Sequence, residues 1–240
     1  MTKNFLMALA LVSTCFSQGY TPKYTTKDQI VRHMAYTLKY SELHEEPSWV
    51  YYKLTNKMVK GASERTNNFK SDPLVKTGSA TPDDYVKSGY DRGHICPAGD
   101  MSWSDSAMAE SFYMSNMTPQ KPGFNRGIWK KLEEQVRNWA KRDTTLYVTA
   151  GPVLSGNLSK IGKGVSVPKY FYKVIFVLKG KNSKGIGFIM PNEDSDKPLQ
   201  SYCVTIDSVE SIAKLDFFNS IVNSIETPVE KRMDIKEWFN

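Results

Sequence analysis

A single change of hydrophobic period constrains this chain most. Across residues 127–142, Ile128, Leu132, Val136 and Trp139 recur at helical spacing with Lys, Glu and Arg between them, as in a helix that buries one face. Directly afterwards, residues 145–149, 170–178, 185–190 and 202–206 form short runs rich in β-branched and aromatic residues, separated by Gly, Pro and Ser turns. Residues 49–55 (WVYYKLT) read as an earlier strand, and residues 29–38 as a short helix or strand. Strands gathered in this way predict an α+β single domain, with a central, mainly antiparallel sheet flanked by helices.

The rest of the chain fits around that frame. Residues 57–89 cluster Gly, Ser, Asn, Asp and Pro and read mostly as loop, while 101–114 contain a helix. Asp207 with Glu210 has the form of a capping box opening a helix that runs to residue 215. Residues 217–225 are a further apolar segment, and the end from Glu226 reads as a tail. There is no repeat and no dividing linker, so residues 20–240 form one domain. Residues 1–19 read as a secretory signal: Lys3, an unbroken apolar stretch at 5–12, then a small-residue exit at 13–19. The expected product is secreted or periplasmic. A lipid anchor on Cys15 is the alternative, and Thr14 before it matches that signal poorly. No later apolar run approaches the ~18 residues of a membrane span. Three cysteines are too few for a disulfide scaffold, and Cys96 and Cys203 are expected to be free thiols. A formal net charge of +7 suits a polyanionic partner, but it equally describes a well-solvated surface.

Chemistry concentrates in two places. The first is Asp91-Arg92-Gly93-His94, followed by Ile95-Cys96-Pro97-Ala98-Gly99-Asp100-Met101, where Gly89, Gly93 and Pro97 suggest a tight, rigid turn. The charge of Arg92 is expected to lower the His94 pKa and favour the neutral, proton-accepting form that a general base needs. A surface His beside a surface Arg is the plainer reading. The second place is Asn116-Met117-Thr118-Pro119-Gln120 and, just before the strong helix, Asn125-Arg126-Gly127-Ile128-Trp129. Asn125 can be the N-cap of that helix, or its carbonyl can serve Mg²⁺, a hard ion that keeps most of its waters. Glu133 lies about two turns further along nearly the same side. It can hold water near such an ion, or pair with Arg137 at i,i+4.

Together these segments resemble the DNA/RNA non-specific endonuclease family, which includes endonuclease G and carries a ββα-metal (His-Me finger) active site. The resemblance rests on DRGH with PAGDM, on SNMTPQ and on NRGIWKKLE, with weaker echoes in SWVYYKLT, FKSDP and AKLDFF. It implies a sugar-non-specific endonuclease that hydrolyses DNA and RNA with a single Mg²⁺, or Mn²⁺ or another divalent cation, and leaves 5′-phosphate ends. By the same resemblance His94 falls on the general base, Asn125 on the direct metal ligand, and Glu133 on the acid that orients the metal's water. Asn116 falls on a supporting polar residue and Arg92 on the arginine that meets phosphate. The family's upstream arginine transfers less cleanly: Arg65 is near its place, but Asn67 or Asn68 can occupy the aligned position. Lys121, Arg126, Lys130 and Lys131 are candidate backbone contacts, although a solvated helix face accounts for the last two as well. Some relatives dimerise, so a homodimer is compatible. The competing reading is a catalytically inactive extracellular nucleic-acid-binding protein.

Overall fold

The structure is a computed structural model and describes residues 20–240. The leader expected at 1–19 lies outside the described residues. Among the described residues there are eleven strands: β1 (Gln29–Arg32), β2 (Tyr36–Ser41), β3 (Glu46–Thr55), β4 (Asp91–His94), β5 (Met117–Gln120), β6 (Thr145–Pro152), β7 (Lys160–Ile161), β8 (Val165–Ser166), β9 (Tyr170–Val177), β10 (Lys184–Pro191) and β11 (Cys203–Val204). Seven of them build one sheet in the order β1-β2-β3-β6-β9-β10-β11, and every pairing is antiparallel. β4 pairs with β5, and β7 with β8, in separate two-stranded ribbons. The helices are α1 (Asp105–Ser111), α2 (Pro122–Phe124), α3 (Lys130–Asp143), α4 (Ile206–Ala213), α5 (Asn223–Lys231) and α6 (Lys236–Phe239). The α+β class with a mainly antiparallel sheet is therefore as expected.

The period-2 alternation of the central strands divides the core in two. On β9, Phe171, Ile175 and Val177 face a cluster with Ile128, Trp129, Leu132, Val136 and Trp139 of the helical segment. Tyr172, Val174 and Phe176 face the other way, against Ile206, Val209, Phe217, Phe218, Ile221 and Val229. Both faces of the sheet are covered, which is why β9 reads as an almost unbroken apolar run. Full burial of one such side chain contributes roughly 1.5–3 kcal/mol, so α3 is held mainly by its packed face.

Four sequence expectations change. Residues 29–38 are neither one helix nor one strand but β1 and the start of β2, paired as a hairpin. The run 202–206 yields only the two-residue β11, because the chain turns helical at Ile206. The cap there is Thr205, whose side chain accepts from Ser208 N; Glu210 reaches forward to Phe217 N (2.7 Å) instead of back, so no capping box forms. The end of the chain is not a tail. α5 continues through Glu226, and the Trp238 side chain is buried edge-on against Trp139 (ring centroids 4.9 Å apart). Trp139 Nε1 and Arg142 also donate to the Trp238 carbonyl at 2.7 and 2.9 Å. Cys96 and Cys203 are free thiols, as expected.

Candidate active site

The DRGH segment is a strand, not the tight turn its glycines suggested. β4 runs antiparallel to β5, with Asp91 opposite Gln120 and His94 opposite Met117. Gly93 is required for space: a Cβ there would stand 2.1 Å from Gln120 Cδ, which crosses over it. Strand alternation then puts Asp91 on the face of Gly93, and Arg92 with His94 on the other. Just beyond, Asn116 is fully buried and spends its amide on backbone. Its Oδ1 accepts from Cys96 N (2.9 Å), and its Nδ2 donates to the carbonyls of Cys96 (2.9 Å) and Ser111 (2.8 Å). Asn116 therefore fixes the chain leaving His94 and has no group turned to solvent.

His94 sits in an aromatic slot, with ring centroids 4.9 Å from Phe112 and 5.7 Å from Phe69. Its carbonyl accepts from Trp129 Nε1 at 3.3 Å, tying the strand to the helical segment. Nε2 is buried without a hydrogen-bond partner, so Nδ1 is the nitrogen that can exchange a proton with solvent. Burial lowers the pKa to about 3, with a further push from the positive charge of Arg65. The neutral form expected from sequence is present, but burial is its first cause and Arg65, not Arg92, is the cation responsible. The two arginines flank the slot: Arg92 lies 4.4 Å over the Phe69 ring and Arg65 4.9 Å over the Phe112 ring. Arg65 Nε donates to Asn67 Oδ1 (2.7 Å), so Asn67 steers this arginine.

Asn125 is not an N-cap. Its own N–H bonds Lys121 O (2.9 Å) and its backbone is helical, because the helix starts a turn earlier, at Pro122. A π-helical stretch, Asn125–Trp129, follows, and Gly127 leaves helical geometry there (φ −99°, ψ −110°) before α3 begins. Wide turns of this kind are frequent at functional sites. Asp91, which sequence reasoning quoted in its motif but gave no role, decides how the Asn125 amide points. It accepts from Asn125 Nδ2 (2.9 Å), Arg126 Nε (2.8 Å) and the Arg126 guanidinium NH2 (2.6 Å). Partial burial would raise this carboxyl, but the bonds from Arg126 and Asn125 hold it below the usual range. With Nδ2 committed to Asp91, the hard donor Oδ1 accepts no hydrogen bond among the described residues. This donor set fits a hydrated, oxygen-seeking divalent cation.

Glu133 stands half-buried in the first turn of α3 and makes no ion pair among the described residues. The i,i+4 pairing with Arg137 does not form, because Arg137 donates to the buried Asp100 at 2.9 Å. Burial pushes the Glu133 carboxyl up to about 7; Lys173 opposes this and Asp100 adds to it. Lys173, on β9, is fully buried with Nζ 4.4 Å over the Trp129 ring and no hydrogen-bond acceptor. Sequence reasoning missed it, since a lysine inside an apolar strand reads as an edge or outward position. The positive charge of Arg65 acts on both His94 and Glu133. Of the candidate backbone contacts, Lys121 is paired with Glu193 (2.6 Å) and Arg126 is taken by Asp91. Lys130 is exposed and 3.8 Å from Glu134, and Lys131 is exposed.

The model of the DNA/RNA non-specific endonuclease family matches residues 16–224. A nuclease from Nostoc sp. is 34% identical over 230 residues, covering 90% of this chain and 83% of that protein. Nuclease C1 of Cunninghamella echinulata var. echinulata is 36% identical over 215 residues (82% and 85%). Human mitochondrial endonuclease G is 31% identical over 210 residues (81% and 71%). Among solved structures, a crystal structure of the EndoG/EndoGI complex, concerned with EndoG inhibition, superposes with a TM-score of 0.78 at 34% identity. The match covers 82% of this chain and 89% of that one.

Proposed function

The chain belongs to the DNA/RNA non-specific endonuclease family, a family of metal-dependent nucleases, and from that premise we propose that it is an exported Mg²⁺-dependent endonuclease with His94 as general base. The observation that carries this reading is the pairing of an unpartnered, neutral imidazole with an asparagine whose amide is turned by Asp91 to free its oxygen. Phosphodiesters resist hydrolysis because anionic oxygens repel the nucleophile and the alkoxide leaves poorly. Nδ1 of His94 takes a proton from water as its oxygen bonds to phosphorus. The P–O3′ bond breaks, the 3′-oxygen takes a proton from a second water and leaves as an alcohol, and the hydroxide so formed is neutralised by the proton His94 gives back to solvent, so the product ends are 5′-phosphate and 3′-hydroxyl. A positioned base of this kind contributes about 10²–10⁴-fold. Arg92 and Arg65 present planar donor forks to phosphate oxygens, held in place by Phe69 and Phe112. Asn125 Oδ1 would hold the divalent ion, which would supply charge neutralisation for phosphodiester cleavage. Glu133 would accept hydrogen bonds from surrounding water.

All of these groups address the backbone, so both DNA and RNA are substrates with little sequence preference. The leader pattern at 1–19 supports a secreted or periplasmic enzyme, and among the described residues no helix is long and apolar enough to cross a membrane. The test is to incubate the protein with supercoiled plasmid and with RNA, with Mg²⁺ or with chelator. Cleavage of both with Mg²⁺, loss in chelator and a steep decline with added salt are expected. Asn125→Ala should need far more Mg²⁺ or be inert. Binding without cleavage would establish the inactive binding protein instead, and an unchanged Mg²⁺ response in Asn125→Ala would remove the ligand assignment.

A further inference from the structure

On the sheet face opposite the nuclease centre, α4 and α5 bring three carboxylates together, with a fourth, Glu226, one helical turn before Glu230. Asp207 and Glu210 are three apart on α4, and Glu226 and Glu230 are four apart on α5, so each pair shares one face of its helix. One oxygen each of Asp207, Glu210 and Glu230 lies within 4.8 Å of the other two. Calcium binds oxygens at 2.3–2.6 Å, so two ligands on opposite sides of such an ion stand roughly 5 Å apart, and the spacing suits a shared centre. The helices are seated tightly. Ile206 and Val229 press on Gly185, and Val209 on Gly187, leaving space for no side chain at either glycine. Glu210 is fixed further by its bond from Phe217 N.

An independent observation points to a missing ligand. Glu226 and Glu230 are only 9% and 8% exposed, and Oε1 of each is buried without a hydrogen-bond partner. Among the described residues none of the four carboxylates makes an ion pair, and the nearby Asp216 is already 3.8 Å from Lys23. Buried like charges with no cation are costly, yet the packing holds them together.

We propose that Asp207, Glu210, Glu226 and Glu230 form a second divalent-cation site, for calcium, that clamps α4 to α5. Several carboxylates in flexible geometry suit calcium, which takes 6–8 oxygens, better than magnesium, which demands an octahedron and retains water. The ion stabilises the fold on this face and takes no part in cleavage.

The test is thermal unfolding of chelator-treated, desalted protein with and without about 1 mM calcium chloride, the affinity range of weak extracellular modules. A rise of about 3–6 °C is expected if calcium is present at roughly ten times its Kd. Asn125→Ala should keep that rise, which separates it from any ion at the nuclease centre. Glu230→Gln and Asp207→Asn should lose it while retaining nuclease activity. Asp207 is half-buried, so its variant carries the comparison even where Glu230→Gln does not fold. No calcium shift in the wild type overturns the proposal. So does a shift that survives both acidic-cluster variants, or one lost only in Asn125→Ala.

Discussion

His33 and His94 are both buried, and the same two stretches of chain enclose them, yet they are built for opposite ends. Phe69 and Phe112 pack on His94; a few residues away, Asp72 and Tyr113 pack on His33. His33 Nε2 meets Asp72 Oδ2 at 2.8 Å, its Nδ1 lies 4.0 Å from Glu110, and Ser115 Oγ donates to the same Asp72 oxygen. Both of its nitrogens face carboxylates. His94 has no acceptor, two arginines beside its aromatic slot, and one nitrogen left for solvent. A paired imidazole joins segments; an unpaired one in a cationic surround costs stability and keeps a proton acceptor ready for an anionic substrate.

Substitution should separate the two sharply. His94→Ala is expected to lower the rate of plasmid cleavage by about 10²–10⁴-fold with little change in Tm. His33→Ala should do the reverse, lowering Tm while the folded fraction cleaves at the wild-type rate. Equal cleavage by His94→Ala would end the general-base assignment and with it the contrast.

The next effect in size is on stability. Asp72→Asn breaks a buried pair and should cost about 3 kcal/mol in denaturant unfolding near neutral pH. Burial would raise the Asp72 carboxyl, but its bonds from His33 and Ser115 hold it below the ordinary value of 3.8. A lowered carboxyl contributes stability that is fully present above that ordinary value and is lost as pH falls through the folded one. Wild type should therefore show an acid limb below pH ~4 that Asp72→Asn lacks. Parallel acid limbs in the two proteins would show that the His33 pair contributes nothing through this charge.

A smaller effect tests the open side. Asp91→Ala removes the acceptor that orients Asn125, and loss of such an orienting partner typically costs 10–100-fold in metal affinity. The Mg²⁺ midpoint for cleavage should rise by that factor, with activity recovered at higher Mg²⁺. A midpoint unmoved by the substitution would mean that the helix backbone alone orients the amide.

How much of this contrast was legible in sequence follows from which interactions are local. The period of Ile128, Leu132, Val136 and Trp139 located the helix, and β-branched runs located most of the sheet. His94, Asn125 and Glu133 stood out because their motifs keep fixed spacing. What escaped depends on long-range partners. Trp238 becomes core only because Trp139 lies almost one hundred residues away in sequence. Asp91 gains its role from Asn125 and Arg126, and Lys173 is buried by a helix that arrives from another part of the fold. His33 matched no motif, and its meaning came entirely from Asp72. The turn expected at Gly93 failed because glycine there serves close packing by Gln120 and not a reversal of the chain.

The smallest expected effect is the one that ties stability to function. Burial pushes Glu133 up to about 7 from the ordinary 4.5, with Lys173 only partly offsetting it. Between those two values the folded chain keeps a proton that the unfolded chain has released. Stability therefore falls as pH rises across that window and stays flat above it. This is opposite in sign to the Asp72 limb, so the two regions should leave separate slopes on one stability–pH curve. Glu133→Gln removes the penalty: it should match wild type near pH 4 and exceed it at pH 8 by about 1–2 kcal/mol, reduced from the full shift because the group is partly solvated. The same variant should cleave more slowly, and the wild-type fall in kcat/KM below pH ~7 should flatten. His94, neutral down to about 3, gives no limb in that range. If Glu133→Gln is no more stable than wild type at pH 8, Lys173 already compensates the carboxylate, and the open side of the molecule carries no stored cost to set against the closed one.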